Sequence, residues 1–245
     1  MTIRNWLRFF FTTLALGGIV TPLFGFFIRW GEFKDYFINF DLSAIIATFI
    51  WFIFVGFLFS VVSQVGFFAY LMVNQLALGI LRSYSLWNSI QVLLIAVTLF
   101  DLVYFRFERF AQPGESIVSY IAIAGYVLFI GLIIAYVKTK QTKKKDVFIP
   151  TLFFMVVLTI LEWVTVLRVD DRRWIYIMLF SLVINNIYQV LALPQYNARS
   201  EQERKQQAQR RAQEANNGKQ QGRKKRGKAQ QGNNDTTNKK TKKNK

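Results

Sequence analysis

Neither cysteine nor histidine occurs in this chain of 245 residues. Disulfide frameworks, Cys/His zinc sites, haem ligation by histidine and every histidine-dependent catalytic triad are thereby excluded. The glycine-rich phosphate loops GxGxxG and GxxxxGKS/T are missing as well. Proline is scarce, with 4 residues, and acids are outnumbered, 14 against 31 Lys and Arg. What remains points to a protein that is not an enzyme and that holds neither metal nor cofactor.

What is present is oil and aromatic rings. Hydrophobic residues make up 53% of the chain and aromatics 17%, with 25 Phe alone. The apolar residues come in unbroken runs, which is the composition of a membrane protein. Charge is unevenly placed. Residues 1–198 carry a net charge of +5 and residues 199–245 a net of +12, so an apolar body ends in a basic tail.

A helix crossing a hydrocarbon core about 30 Å thick needs about 20 apolar residues. Six segments qualify, near 7–28, 42–62, 86–105, 117–137, 147–167 and 174–193. The first continues through Ile28 with no polar mature chain behind it, so it reads as an uncleaved anchor and not as a signal peptide. Residues 63–82 form a weaker seventh candidate, diluted by Gln64, Gly66, Asn74, Gln75 and Gly79. No turn signal separates them from the span before. Forty helical residues would extend about 60 Å, so the chain is expected to break, bend or leave the membrane near Ser63–Gly66.

Side assignment follows from the basic residues. The loop Lys138–Asp146 carries five Lys and one Asp and belongs on the cytoplasmic side, as does the tail. Arg4 and Arg8 place the N-terminus there too. Arg29–Asp41 and Arg168–Arg173 fall outside. Two cytoplasmic termini require an even number of crossings, so residues 63–82 become a helix extension, an interfacial helix or a re-entrant piece on the cytoplasmic side. The fold class is thus all-α: a polytopic membrane domain over 1–196 with six spans, then a disordered basic cytoplasmic tail over 197–245.

Candidate functional residues are the polar groups that the bilayer penalises. Asp101 and Glu162 are the two acids inside spans, each a few residues before an arginine, Arg106 and Arg168. Both acids are able to snorkel to the interface, and a paired proton-carrying site is the sharper alternative. The last span contains NNIYQ, in which Asn185 and Gln189 share a helix face flanked by Asn186. These amides serve as interhelical glue or as a partner contact. Gln64, Asn74 and Gln75 are read in the same way. Gly17, Gly18, Thr21-Pro22, Gly56/Ser60 and Gly131/Ala135 permit close helix approach. Most of the six Trp fall near span ends, as an aromatic belt does. The GRKKRGK cluster (Gly222–Lys228) fits anionic lipid better than nucleic acid, because the tail has no aromatic residue on which to stack a base.

The stretches RNWLRFFFTTLALGGIVTPLFGF, SQVGFFAYLMVNQ, ILRSYSLWNSIQ and FDLVYFRFERF resemble the KinB-signalling pathway activation proteins of endospore-forming bacteria, over roughly residues 1–196. The resemblance implies a cell-membrane protein that supports activation of a membrane sensor histidine kinase feeding the sporulation phosphorelay. It transfers no active-site residue. Such an activator acts by binding and shifting a kinase between conformations. The rival class is a small-molecule permease or channel, with Asp101, Glu162 and the Asn185–Gln189 face lining a pathway.

Overall fold

The computed structural model describes residues 1–111, 116–164 and 172–241. Positions 165–167 of the fifth expected span, Arg168, most of the Arg168–Arg173 loop and the side chain of Arg106 lie outside that description. The described chain is helical, without a strand. Six helices are long and apolar enough to cross a membrane: Ile3–Ile28, Leu42–Leu81, Tyr84–Phe105, Val118–Thr142, Lys145–Trp163 and Arg173–Arg211.

The elements run α1 (Ile3–Ile28), α2 (Trp30–Ile38), α3 (Leu42–Leu81), α4 (Tyr84–Phe110), α5 (Val118–Thr142), α6 (Phe148–Phe153), α7 (Thr159–Val164) and α8 (Arg172–Thr241). A 3-10 turn at Lys145–Val147 leads into α6, and a π turn at Phe154–Leu158 joins α6 to α7 as one span. Start signals are local. The Asp41 carboxylate accepts from Ala44 N–H at 3.1 Å, and Ser83 Oγ accepts from Leu86 N–H at 3.3 Å. The Ala44 N–H and then the Ser43 hydroxyl hold the Asp41 carboxyl below its usual range. That cap therefore favours the folded state above the unfolded carboxyl pKa and fades as pH falls through the lowered one. Stops are abrupt. Arg82 (φ 52°) and Lys143 (φ 55°) end α3 and α5 in the left-handed region, where glycine is the usual residue.

Connections of two residues after α3 and α5 force antiparallel neighbours, so the helices alternate in direction. The chain forms two compact units, Trp6–Gln195 and a second made of Met1–Asn5 with Tyr196–Lys245. Within the second unit Thr2 Oγ1 donates to Glu203 at 2.9 Å, Arg4 pairs with Glu203, and Asn5 Nδ2 donates to Ser200 Oγ at 3.0 Å. Residues 2–5 and 200–203 are therefore held together within this unit.

Three features depart from the sequence-based expectation. First, α3 is unbroken from Leu42 to Leu81, which selects the helix extension among the alternatives for residues 63–82 and leaves no break at Ser63–Gly66. Nothing at Ser63–Gly66 interrupts it, because Ser63, Gln64 and Gly66 all face a packed neighbour. Second, Trp30–Ile38, expected as loop, forms α2, none of whose residues is buried. Third, α8 continues as helical backbone to Thr241 where a disordered tail was expected. Ala, Gln, Lys and Arg are strong helix formers, and this stretch has local propensity but no apolar face.

Packing in Trp6–Gln195 is inward at the last two spans. Phe154, Met155, Ile160, Trp163, Ile177, Met178, Leu179 and Leu182 are fully enclosed. Outward, Phe27, Val65, Leu93 and Phe129 are more than half exposed. Such a surface suits hydrocarbon and not water. The tightest contact is between α1 and α3. A Cβ at Gly56 would lie 2.2 Å from the Gly17 carbonyl oxygen, and one at Gly17 would lie 2.7 Å from the Gly56 carbonyl oxygen. Neither backbone atom has anywhere to go. Gly56→Ala should therefore lower thermal stability in detergent, by about 1–3 kcal/mol. Gly125→Ala, where a Cβ meets nothing within 4 Å, should leave it unchanged or slightly raised.

Candidate functional site: a buried polar core

Where α1, α3, α7 and α8 meet, the enclosed side chains turn polar. Asn185, Asn186 and Gln189 of α8 are all completely buried. Asn186 is the hub. Its Nδ2 donates to Thr159 Oγ1 and to Glu162 Oε2, both at 2.9 Å, and its Oδ1 accepts from Ser63 Oγ at 2.6 Å. Gln189 Nε2 donates to the same Ser63 hydroxyl. Asn185 Nδ2 donates to Ser60 Oγ at 3.2 Å, and Ser60 passes its own proton to the Thr13 carbonyl of α1 at 3.1 Å. A Thr21–Ser181 hydroxyl pair at 2.9 Å closes the α1–α8 side.

The spacing explains the assembly. Ser60, Ser63 and Gln64 fall on one face of α3, as Asn185 and Gln189 do on α8 and Thr159 and Glu162 on α7. Glycine opens the room. A Cβ at Gly66 would stand 2.0 Å from Glu162 Oε1, and one at Gly17 would stand 1.9 Å from Ser60 Oγ. In an apolar surround each such bond matters more through the penalty of losing it than through its net gain. The core is not fully bonded: the Gln64 amide and the carbonyl oxygens of Asn185 and Gln189 make no hydrogen bond within the described protein. Chemically the cluster offers amides, hydroxyls and one carboxyl. That is a set for specifying helix contacts, with no nucleophile and base side by side.

The other sequence-picked residues scatter. Asp101 is exposed on α4 and takes no part in the cluster that holds Glu162. Asn74 accepts from Trp87 Nε1 at 2.8 Å, tying α3 to the first turn of α4. Gln75 is exposed, whereas Gln64 is buried. Of the residues named for a permease pathway, Glu162, Asn185 and Gln189 come together and Asp101 stands apart.

One residue the sequence reading placed in the cytoplasmic loop belongs to the interior. Lys138 is 8% exposed within α5, and its ammonium donates to the Val190 carbonyl of α8. The cause lies four residues on. Pro194 sits inside α8 and has no N–H, so the Val190 carbonyl loses its helical donor. The lysine supplies one, and Gln141 Nε2 donates to the next carbonyl, Leu191, at 3.0 Å. The signal was legible in principle: a proline inside a span calls for a donor from a neighbouring helix. Tyr70 of α3 donates to the Pro150 carbonyl of α6 at 2.9 Å, a second bond to a carbonyl that already has its helical donor.

Residues 17–196 match the protein family described as KinB-signalling pathway activation in sporulation. The KinB-signaling pathway activation protein of Bacillus subtilis (strain 168) is 46% identical over 199 residues, which cover 81% of this chain and 100% of that protein. No solved structure matches the chain. The matched region holds the polar core, Lys138 and Pro194, while the basic tail lies beyond it.

The proline–lysine pairing makes a two-sided prediction. Lys138→Met should destabilise the detergent-solubilised protein by about 1–3 kcal/mol, because a buried carbonyl loses its donor. Pro194→Ala restores the backbone N–H and should rescue most of that loss in the double variant. Thermal unfolding of the four proteins forms the cycle, and additive effects would refute the pairing.

Proposed function

Because the chain belongs to the KinB-signalling pathway activation family, we propose that it is a non-enzymatic cell-membrane protein that supports activation of a membrane sensor histidine kinase in sporulation by helix–helix contact. The chain has no histidine to accept a phosphoryl group. It acts by binding the kinase more tightly in one conformation than in another.

The observation that carries the contact reading is an uncovered stripe on the second half of α3. Val65, Met72, Leu76 and Ile80 are each more than 60% exposed, and Ala69 and Gln75 are exposed among them. A Cβ at Gly79 would meet nothing within 4 Å. Small residues and an amide on an apolar helix face are what membrane helices use to associate. The buried amides of α8 are already engaged inside the bundle, so they support the surface without forming it. The double variant Gln75→Leu/Gly79→Leu should accumulate normally and lose most kinase-dependent sporulation signalling. Asn185→Leu/Gln189→Leu should lower abundance and signalling together. Undiminished signalling from the α3 variant would overturn the contact assignment.

Both termini and the Lys138–Asp146 loop face the cytoplasm in this reading, where the tail's net +12 lies against anionic lipid. In intact cells a Cys at Lys144 or Lys219 should resist an impermeant thiol reagent, while one at Phe37 should label. In inverted anionic vesicles the Lys219 site should react slowly at low salt and freely at high salt. Labelling of either lysine site from outside the cell would reverse the orientation, and a salt-independent rate would remove the lipid.

A further inference from the structure

The acid inside the span of α4 faces outward. Trp87, Gln91, Ile95 and Leu102 form the buried side of that helix. Asp101 is exposed, on one stripe with Leu94, Val97 and Phe105, which are exposed as well. Phe100 and Tyr104, stacked with ring centres 5.2 Å apart, flank it. Within the described protein Asp101 makes no hydrogen bond and no ion pair. Its depth is set by the helix. The apolar segment Tyr84–Phe105 ends four residues after Asp101, about 6 Å along the axis. The Cα–Cβ bond of a helical residue tilts toward the start of its helix, so this carboxylate leans back toward Tyr84 and into the span. One methylene is too short to reverse that lean. Acids inside spans ordinarily face the bundle and find a partner there, as Glu162 does in Asn186. Asp101 instead stands on the surface that hydrocarbon would cover.

We propose that the Asp101 stripe of α4 is a second docking surface, covered by a transmembrane helix of the sensor kinase that carries Lys or Arg at the same depth. This rests on the kinase-contact reading above and adds a charged anchor to it. Charge complementarity selects the occupant. A carboxylate held in hydrocarbon is stabilised by a cation brought alongside it, and removing either partner strands the other. The long apolar stem of Lys or Arg packs along Leu94, Val97 and Phe105 while its head meets the acid. A second copy of this chain fits poorly. A two-fold axis through the stripe would set Asp101 against Asp101, like charge against like. The distance along the bundle also suits one partner helix. Trp87 is bonded to Asn74, beside Gln75 of the α3 surface, and Asp101 lies about 21 Å further along α4. A helix that crosses a core about 30 Å thick reaches both levels.

The surface is tested in membranes holding the full-length protein and the sensor kinase, with a photoreactive side chain in place of Val97 or, on α3, of Leu76. The Val97 probe should crosslink to a span of the kinase, and peptide mapping should find Lys or Arg within one turn of the attachment point. Asp101→Leu should cut that crosslink about tenfold. Its abundance and thermal midpoint in detergent should stay level or rise, because no bond inside the protein is lost. Asp101→Lys should abolish the crosslink, and changing the mapped kinase residue to Asp should restore it. Kinase crosslinks from Leu76 alone would remove the α4 surface and keep the kinase reading. Crosslinks from neither position would remove both, and crosslinks from Val97 alone would remove only the α3 stripe. The proposal also falls if Val97 crosslinks only to lipid or to a second copy, or if Asp101→Leu lowers the thermal midpoint.

Discussion

A backbone or side-chain polar group placed in an apolar surround needs a partner from the protein itself, because lipid offers none. Much of what is distinctive in this molecule follows from that requirement. Asn186 faces Thr159, Glu162 and Ser63 at once because one amide has to be satisfied from two other helices. Gly17, Gly56 and Gly66 are small because those groups and the opposing backbones occupy the space a side chain would take. Lys138 reaches the Val190 carbonyl because a proline has removed the ordinary donor. Hydrophobic packing gives the bundle its bulk, while the polar partners fix which helix faces which.

The same core keeps polar groups in reserve. Its network is partly bonded, with the Gln64 amide and two α8 carbonyl oxygens making no bond within the described protein. A fully satisfied network is rigid; one with spare donors and acceptors has other pairings within reach. Ser63 is the fixed point beside them, since its hydroxyl donates to Asn186 and accepts from Gln189 at once.

The number of spans was legible from sequence because length and apolarity alone set it, and six apolar helices appear, the second and the last running well past the expected ends. The α8 amide face was legible too, since helical spacing put Asn185 and Gln189 together. The partners were not. Ser60, Ser63, Thr13, Thr159 and Ser181 are ordinary residues in membrane helices, and only the three-dimensional arrangement selects them. The two acids looked alike in sequence, yet Glu162 turns inward and Asp101 outward. Helix phase decides that, and the phase of an all-apolar helix cannot be read from hydropathy. Lys138 was hidden by its neighbours, being the first of a run of lysines of which Lys143, Lys144 and Lys145 lie beyond the end of α5.

The joining of the two chain ends has a consequence for biosynthesis. Asn5 is fully buried in its unit, against Ser200, and Thr2 and Arg4 are held by Glu203. Asn5 and its partner Ser200 are 195 positions apart, and Thr2 and Glu203 are 201 apart, so the partners are made much later. Residues 1–5 therefore wait for those partners with polar groups unmatched. A chain cut short before the end of the last span never supplies Ser200 or Glu203. Completion of the last apolar helix is thus reported at Thr2, Arg4 and Asn5, whose bonds to Glu203 and Ser200 are missing from any chain that stops short of them.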